Sequence, residues 1–306
     1  MSESIYATGI AGTPAPVLSF GPLVLPVPGR AVDLQMRVSA PATGSGLPVI
    51  LLSHGHGPSN HLSSLNGYAP LANHWAEAGF VVLQPTHLSS RTLDLPDAPG
   101  APMFWRERAQ DMSHIIDRLD EIEKAVPQLQ NRLDRTKIAV AGHSMGGHTA
   151  SLLLGMKAEN ESFKDDRIKA GVLLGSTGRG EGLTEVVRDN YSFMLTADFT
   201  DMTTPALVVA GDRDASEHLT VNGPEWHTDP FHLAPGPKDL LILEGGEHGL
   251  GGVSGYDVAE TTDESPARVG LVQRLTTAYL RSQLNKTADW QEESLVGVGF
   301  GVHSRP

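Results

Sequence analysis

The chain has 306 residues with 33 glycines, 21 prolines, no cysteine and a formal net charge of −13. That length can bury a large core as one domain, and the lack of cysteine excludes a disulfide framework, a thiolate zinc site and a cysteine nucleophile. An acidic balance without any basic run argues against nucleic acid or an anionic membrane surface as the main partner.

The opening stretch, MSESIYATGIAGTPAPVLSF, holds neither a basic leader segment nor a sustained apolar run. No later stretch approaches the roughly 18 apolar residues of a spanning helix. The expectation is a soluble, cytoplasmic protein without membrane insertion. Residues 31–38, AVDLQMRV, place Val32, Leu34, Met36 and Val38 on one face, the alternation of a half-exposed antiparallel strand. Six later runs, at 48–55, 80–85, 137–144, 170–176, 205–212 and 239–246, are apolar without alternating. Strands apolar on both faces belong to a parallel sheet covered on each side by helices. Helical spacing fills the gaps at 68–79, 104–126, 146–157 and 265–284, most clearly where Met112, Ile115, Ile116, Leu119 and Ile122 form one stripe.

Two long connections, 86–104 and 177–203, lack a strong period and are candidate lid or pocket segments. The tail, 285–306, carries no pattern that places it. The reading is an α/β fold: one domain over 1–306 with its core at about 30–284, a mostly parallel central sheet, antiparallel N-terminal strands and helices on both faces.

Residues 50–61, ILLSHGHGPSNH, end a strand in three histidines. A zinc site built from His54, His56 and His61 would need a carboxylate or an H-E-x-x-H pattern beside them, and neither is present. No metal is expected.

Gly142-His143-Ser144-Met145-Gly146 is a G-x-S-x-G sequence with an apolar strand directly before it and a helical stretch directly after. That context fits a sharp strand-to-helix turn that exposes a strained serine and leaves the Met145 N–H where an oxyanion would form. A serine nucleophile needs a base, and the base an orienting acid, both at later strand ends. His248, between glycines just past the final apolar run, suits the base. Asp214 suits the acid because it lies beyond the turn and can point across to His248, whereas Asp212 could instead brace the loop through its backbone. Glu244 and Glu247 lie too near His248 in sequence for easy approach to its ring.

The ordered set HGHG (54–57), GHSMGG (142–147), GDRD (211–214) and GGEHG (245–249) resembles the α/β-hydrolase superfamily over most of 30–284. The nearest branch is the chlorophyllase, dienelactone-hydrolase-like and cutinase-type polyester-hydrolase group. The resemblance implies Ser144 as nucleophile, Asp214 as acid, His248 as base, and the N–H groups of His56 and Met145 as the oxyanion hole. It also implies hydrolysis of a small or polymeric ester without a cofactor. Three departures stand beside it. The sequence shows no pattern of the signal peptide and no cysteine for the disulfide usual in secreted cutinase-like enzymes, has serine where dienelactone hydrolases have cysteine, and lacks a proline that often follows the acid. Amidase, thioesterase or perhydrolase chemistry would use the same residues, and a non-catalytic binding protein would usually lack part of the triad.

Candidate substrate contacts are the side chains of His56 and His143 and the apolar pair Phe104 and Trp105. That pair could grip an acyl chain or simply pack its helix onto the sheet.

Overall fold

The computed structural model describes residues 16–286, Trp290 and 302–305. The elements run β1 (Val17–Leu25), β2 (Leu34–Pro41), β3 (Leu47–Ser53), α1 (Ala69–Glu77), β4 (Val81–Thr86), α2 (Trp105–Asp117), α3 (Leu119–Ala125), β5 (Leu133–His143) and α4 (Met145–Leu154). A small hairpin follows, β6 (Lys157–Ala158) and β7 (Glu161–Ser162), then β8 (Ile168–Leu174), α5 (Glu185–Asn190), α6 (Ser192–Leu195), β9 (Ala206–Gly211), α7 (Asp229–Leu233), β10 (Lys238–Leu243), α8 (Pro266–Asn285) and β11 (Val302–Arg305).

Among the described residues one nine-stranded sheet has the order β1-β2-β4-β3-β5-β8-β9-β10-β11. The strands from β4 to β10 in that order are parallel, β1 and β2 are antiparallel at one edge, and β11 is antiparallel at the other. The non-alternating apolar runs have a direct physical cause. Along β3, Val49 and Leu51 face one core while Ile50 and Leu52 face the other; along β5, Ile138 and Val140 oppose Ala139 and Ala141. Helices α2, α3 and α4 cover the first core, whereas α1 and α8 cover the second. A strand wedged between two helix layers has no face left for polar residues.

Several boundaries differ from the sequence reading. The expected helix at 104–126 is two helices that break at Arg118, whose backbone leaves helical geometry (φ −116°, ψ 23°). Its guanidinium reaches Glu121 and the Pro26 carbonyl, while the apolar stripe runs straight through the break and so conceals it. Strand β1 was not foreseen because Gly21 and Pro22 interrupt its run; they fall in a register shift on an edge strand, where proline is tolerated. The connection from β4 to α2 has no helix or strand, whereas 177–203 contains α5 and α6. The unplaced tail falls mostly outside the described residues. Of it, Trp290 is buried edge-on to Tyr279 at 5.7 Å and donates its indole N–H to Asp239 at 3.2 Å. No described helix is long and apolar enough to cross a membrane.

Trp75 of α1 is fully buried and donates its indole N–H to Thr276 of α8 at 3.1 Å, tying together the two helices of the second core. Trp75→Ala should therefore lower the unfolding free energy by about 3–5 kcal/mol, measured by urea denaturation.

Candidate active site

Strand β5 ends at His143 and α4 begins at Met145; between them Ser144 has φ 55° and ψ −121°. Such a conformation costs a serine roughly 1–3 kcal/mol and persists only where its surroundings enforce it. Glycine supplies the enforcement. A Cβ on Gly142 would lie 1.9 Å from the Gly146 carbonyl oxygen, and one on Gly146 would lie 2.0 Å from that of Ser53. The Ser144 N–H donates to the Leu174 carbonyl at 2.9 Å, fastening the turn to β8.

Ser144 and His248 line one small cleft of about 30 Å³ together with His56, His143, Leu62 and Glu260. His248 Nδ1 bonds Asp214 Oδ2 at 2.7 Å, which leaves Nε2 as the ring nitrogen for the cleft. The other oxygen of Asp214 accepts from the Ser216 hydroxyl at 2.8 Å and faces His227 Nε2 at 3.2 Å. Burial alone would raise the Asp214 carboxyl; hydrogen bonds from His227 and His248 outweigh it and hold the group well below the usual carboxylate range. Asp212 has a different task, accepting the Gly245 N–H at 2.7 Å and so bracing the turn after β10. The loop carrying His248 is pinned by Asp263, which accepts the Glu247 and Gly251 N–H groups at 2.9 and 3.0 Å.

The HGHG loop follows β3, beside the serine turn. His54 donates from Nδ1 to the Gly55 carbonyl at 2.7 Å and accepts the His87 N–H at Nε2, 3.1 Å away. Both of its ring nitrogens are thus used within the protein, and His61 is exposed on the far side of the turn. His54, His56 and His61 do not converge as a donor set. Among the described residues the convergent group is Asp214, His227 and His248, whose candidate ligand atoms lie within 4.8 Å of one another. The hydrogen bonds already described occupy those atoms. The backbone N–H groups of His56 and Met145 have no acceptor among the described residues; His56 lines the cleft, and Met145 follows Ser144 at the start of α4.

A sequence model of the alpha/beta hydrolase family matches residues 49–240, well over half of the chain. The chain belongs to the alpha/beta hydrolase family. Among curated proteins it is similar to cutinase est2 of Thermobifida alba, 26% identical over 170 residues that cover 55% of this chain and 43% of that protein. A platelet-activating factor acetylhydrolase of Cavia porcellus is 28% identical over 167 residues, covering 43% of this chain and 35% of the relative. The chain thus spans less than half the length of these relatives.

In this alpha/beta hydrolase the four candidate substrate contacts separate. His56 and His143 line the cleft, but both ring nitrogens of His143 are committed: Nδ1 to the Tyr68 hydroxyl at 2.9 Å and Nε2 to the His248 carbonyl at 2.7 Å. Phe104 and Trp105 are 2% and 7% exposed and lie outside the cleft lining. Trp105 instead stacks on Phe193 at 5.5 Å, packing α2 against the first core. A larger cleft of about 930 Å³, bordered by Arg179, Trp226, Asp229 and Leu240, includes neither Ser144 nor His248; size alone does not supply a nucleophile beside a base, so the small cleft is the candidate site.

Three residues that the sequence reading passed over help to build the site: Tyr68, Arg108 and His227. Arg108 had a visible signal, since it stands one turn before Met112 on the apolar face of α2, where an arginine has no solvent to reach. His227 lies in a stretch with no period, and nothing local announced it.

The buried imidazoles set a pH dependence. Burial pulls His143 and His148 down to about 3, with the neighbouring charges of His248 and Arg108 respectively adding to the effect. Each stays neutral in the native state at pH values where the unfolded chain, with an ordinary histidine pKa of about 6.5, takes up a proton. Stability is therefore full above about pH 7 and falls on acidification toward pH 3, by up to about 1.4 kcal/mol per pH unit for each such histidine. Both ring nitrogens of His148 are buried without a partner among the described residues. His148→Met should accordingly keep or raise stability at pH 7 and flatten its fall between pH 6 and 4, measured by urea denaturation across pH.

Proposed function

We propose that this chain hydrolyses carboxylic esters through Ser144, His248 and Asp214 by way of an acyl-enzyme. The observation that carries the reading is the 2.7 Å bond from His248 to a buried Asp214 in the cleft that also holds the strained Ser144. Ser144 Oγ attacks the ester carbonyl carbon while its proton passes to His248 Nε2. The negative charge that develops on the carbonyl oxygen is taken by the N–H groups of His56 and Met145, the second of them at the positive end of α4. Collapse of the tetrahedral intermediate breaks the bond to the alcohol, which leaves with the proton from His248. Water repeats the sequence on the acyl-enzyme and restores Ser144. Asp214 remains ionised throughout, held low by its histidine partners, and keeps His248 in the tautomer with Nε2 toward the cleft.

The relatives named cutinase and acetylhydrolase support acyl hydrolysis over other chemistries of this versatile fold. The chain acts as one domain on a small or polymeric ester, without a cofactor. The cleft beside Ser144 is narrow, at about 30 Å³, which favours short acyl groups. Amide, thioester and perhydrolytic substrates run in parallel distinguish the alternative acyl transfers.

A panel of p-nitrophenyl esters of graded chain length tests this reading. The wild type should prefer acetate over octanoate by roughly tenfold or more in kcat/KM, and Ser144→Ala should lose roughly 10⁴-fold or more in kcat. His56→Ala, which keeps its backbone N–H, should stay within about tenfold of the wild type. Undiminished turnover by Ser144→Ala, or a folded wild type that no fluorophosphonate labels at Ser144, would refute it.

A further inference from the structure

Behind the HGHG loop lies an arginine with no exposed surface and no carboxylate at ion-pair distance among the described residues. Arg108 extends from α2 and donates to the His54 carbonyl at 2.9 Å, the Gly55 carbonyl at 3.3 Å, and the hydroxyls of Ser89 and Ser53 at 2.9 and 3.3 Å. It also reaches Thr149 Oγ1 of helix α4 at 3.5 Å. Asp111, three residues further along α2, is occupied by Arg30 and His87, each at 2.9 Å. Burying a cation among neutral acceptors is expensive, and packing does not account for it, because an aliphatic side chain would suit the apolar face of α2 better.

The two carbonyls it holds explain the expense. A trans peptide is planar, so its C=O and N–H point in opposite directions. In the peptide joining His54 and Gly55, the carbonyl turns to Arg108 and the N–H is taken by the Tyr68 hydroxyl at 2.9 Å. In the next peptide, the Gly55 carbonyl turns to Arg108 and to His54 Nδ1, and the opposing His56 N–H finds no acceptor among the described residues. Fixing one end of that peptide aims the other at the cleft.

We propose that Arg108 is a positioning residue for the oxyanion site: it clamps the Gly55 carbonyl and so aims the His56 N–H at the developing charge on the substrate oxygen. Its positive charge also polarises the intervening peptide in the direction that strengthens that N–H as a donor. Burial lowers the guanidinium only to about 9, so it remains a cation at neutral pH. The inference rests on the serine-esterase reading above.

Arg108→Gln and Arg108→Lys, shown to be folded by circular dichroism, are assayed on an ester and on its thionoester, whose C=S accepts hydrogen bonds poorly. Losing a well-aimed oxyanion donor costs up to roughly 10²–10³-fold in kcat. The expected result for Arg108→Gln is a kcat on the ester lowered at least tenfold with KM little changed, a much smaller loss on the thionoester, and partial rescue in Arg108→Lys. Wild-type kcat in either folded variant, or equal losses on ester and thionoester, would overturn the proposal. Turnover by Ser144→Ala would instead overturn the esterase reading, so the two failures are distinguishable. If neither arginine variant folds, the amide proton of His56 in wild-type protein is followed by NMR as benzeneboronic acid binds. A downfield shift accompanied by a change at the Gly55 carbonyl carbon supports the clamp, and an unmoved Gly55 carbonyl overturns it.

Discussion

Gly146, in the first turn of α4, is packed so closely on the end of β3 that even a methyl group would collide with the Ser53 carbonyl at 2.0 Å. This contact fixes the distance between the serine turn and the HGHG loop, and the rest of the site follows from it. With α4 held there, Ser144 keeps its positive φ, and the Met145 N–H at the helix start, like the His56 N–H, has no acceptor among the described residues. In the proposed mechanism these two N–H groups meet on one oxygen, so a small backbone shift at this point would be the kind of misplacement to which catalytic geometry is most sensitive.

Behind this contact stands a buried polar network in place of hydrocarbon. Asp111 joins Arg30 from the loop after β1 to His87 after β4; His87 bonds Ser53 at the end of β3, and Arg108 closes the set on His54 and Gly55. On the opposite side the Tyr68 hydroxyl accepts from Gly55 and bonds His143, which reaches the carbonyl of His248. The HGHG loop and the loop of His248 are thus linked through buried side chains. Partly satisfied, such a network would cost more than an apolar core; nearly complete, it specifies one arrangement.

The sequence made the sheet legible because both of its faces are buried: the apolar runs at β3, β4, β5, β8, β9 and β10 can mean little else. Ser144, Asp214 and His248 were visible as candidates because each stands at a strand end where loops are short and chemistry is exposed. The break at Arg118 and the edge strand β1 were hidden, the first because periodicity survives a kink, the second because Gly21 and Pro22 interrupt the run. Phe104 and Trp105 pointed away from their actual role because an aromatic pair at a helix start looks alike whether it faces a ligand or Phe193. The supporting residues were least legible, since Tyr68, Arg108 and His227 act through contacts as far as 75, 55 and 51 positions distant in the chain, and hydrogen bonding at that range leaves no local spacing.

The central claim is that catalysis passes through a covalent ester on Ser144. Rapid acid quenching during turnover of a p-nitrophenyl ester, followed by peptide mass analysis, tests it most directly. The account predicts a peptide carrying the acyl mass at Ser144 that forms with the burst of p-nitrophenol and disappears when substrate is exhausted. Steady turnover with Ser144 unmodified at every quench time, or an acyl group resident on another side chain, would contradict it.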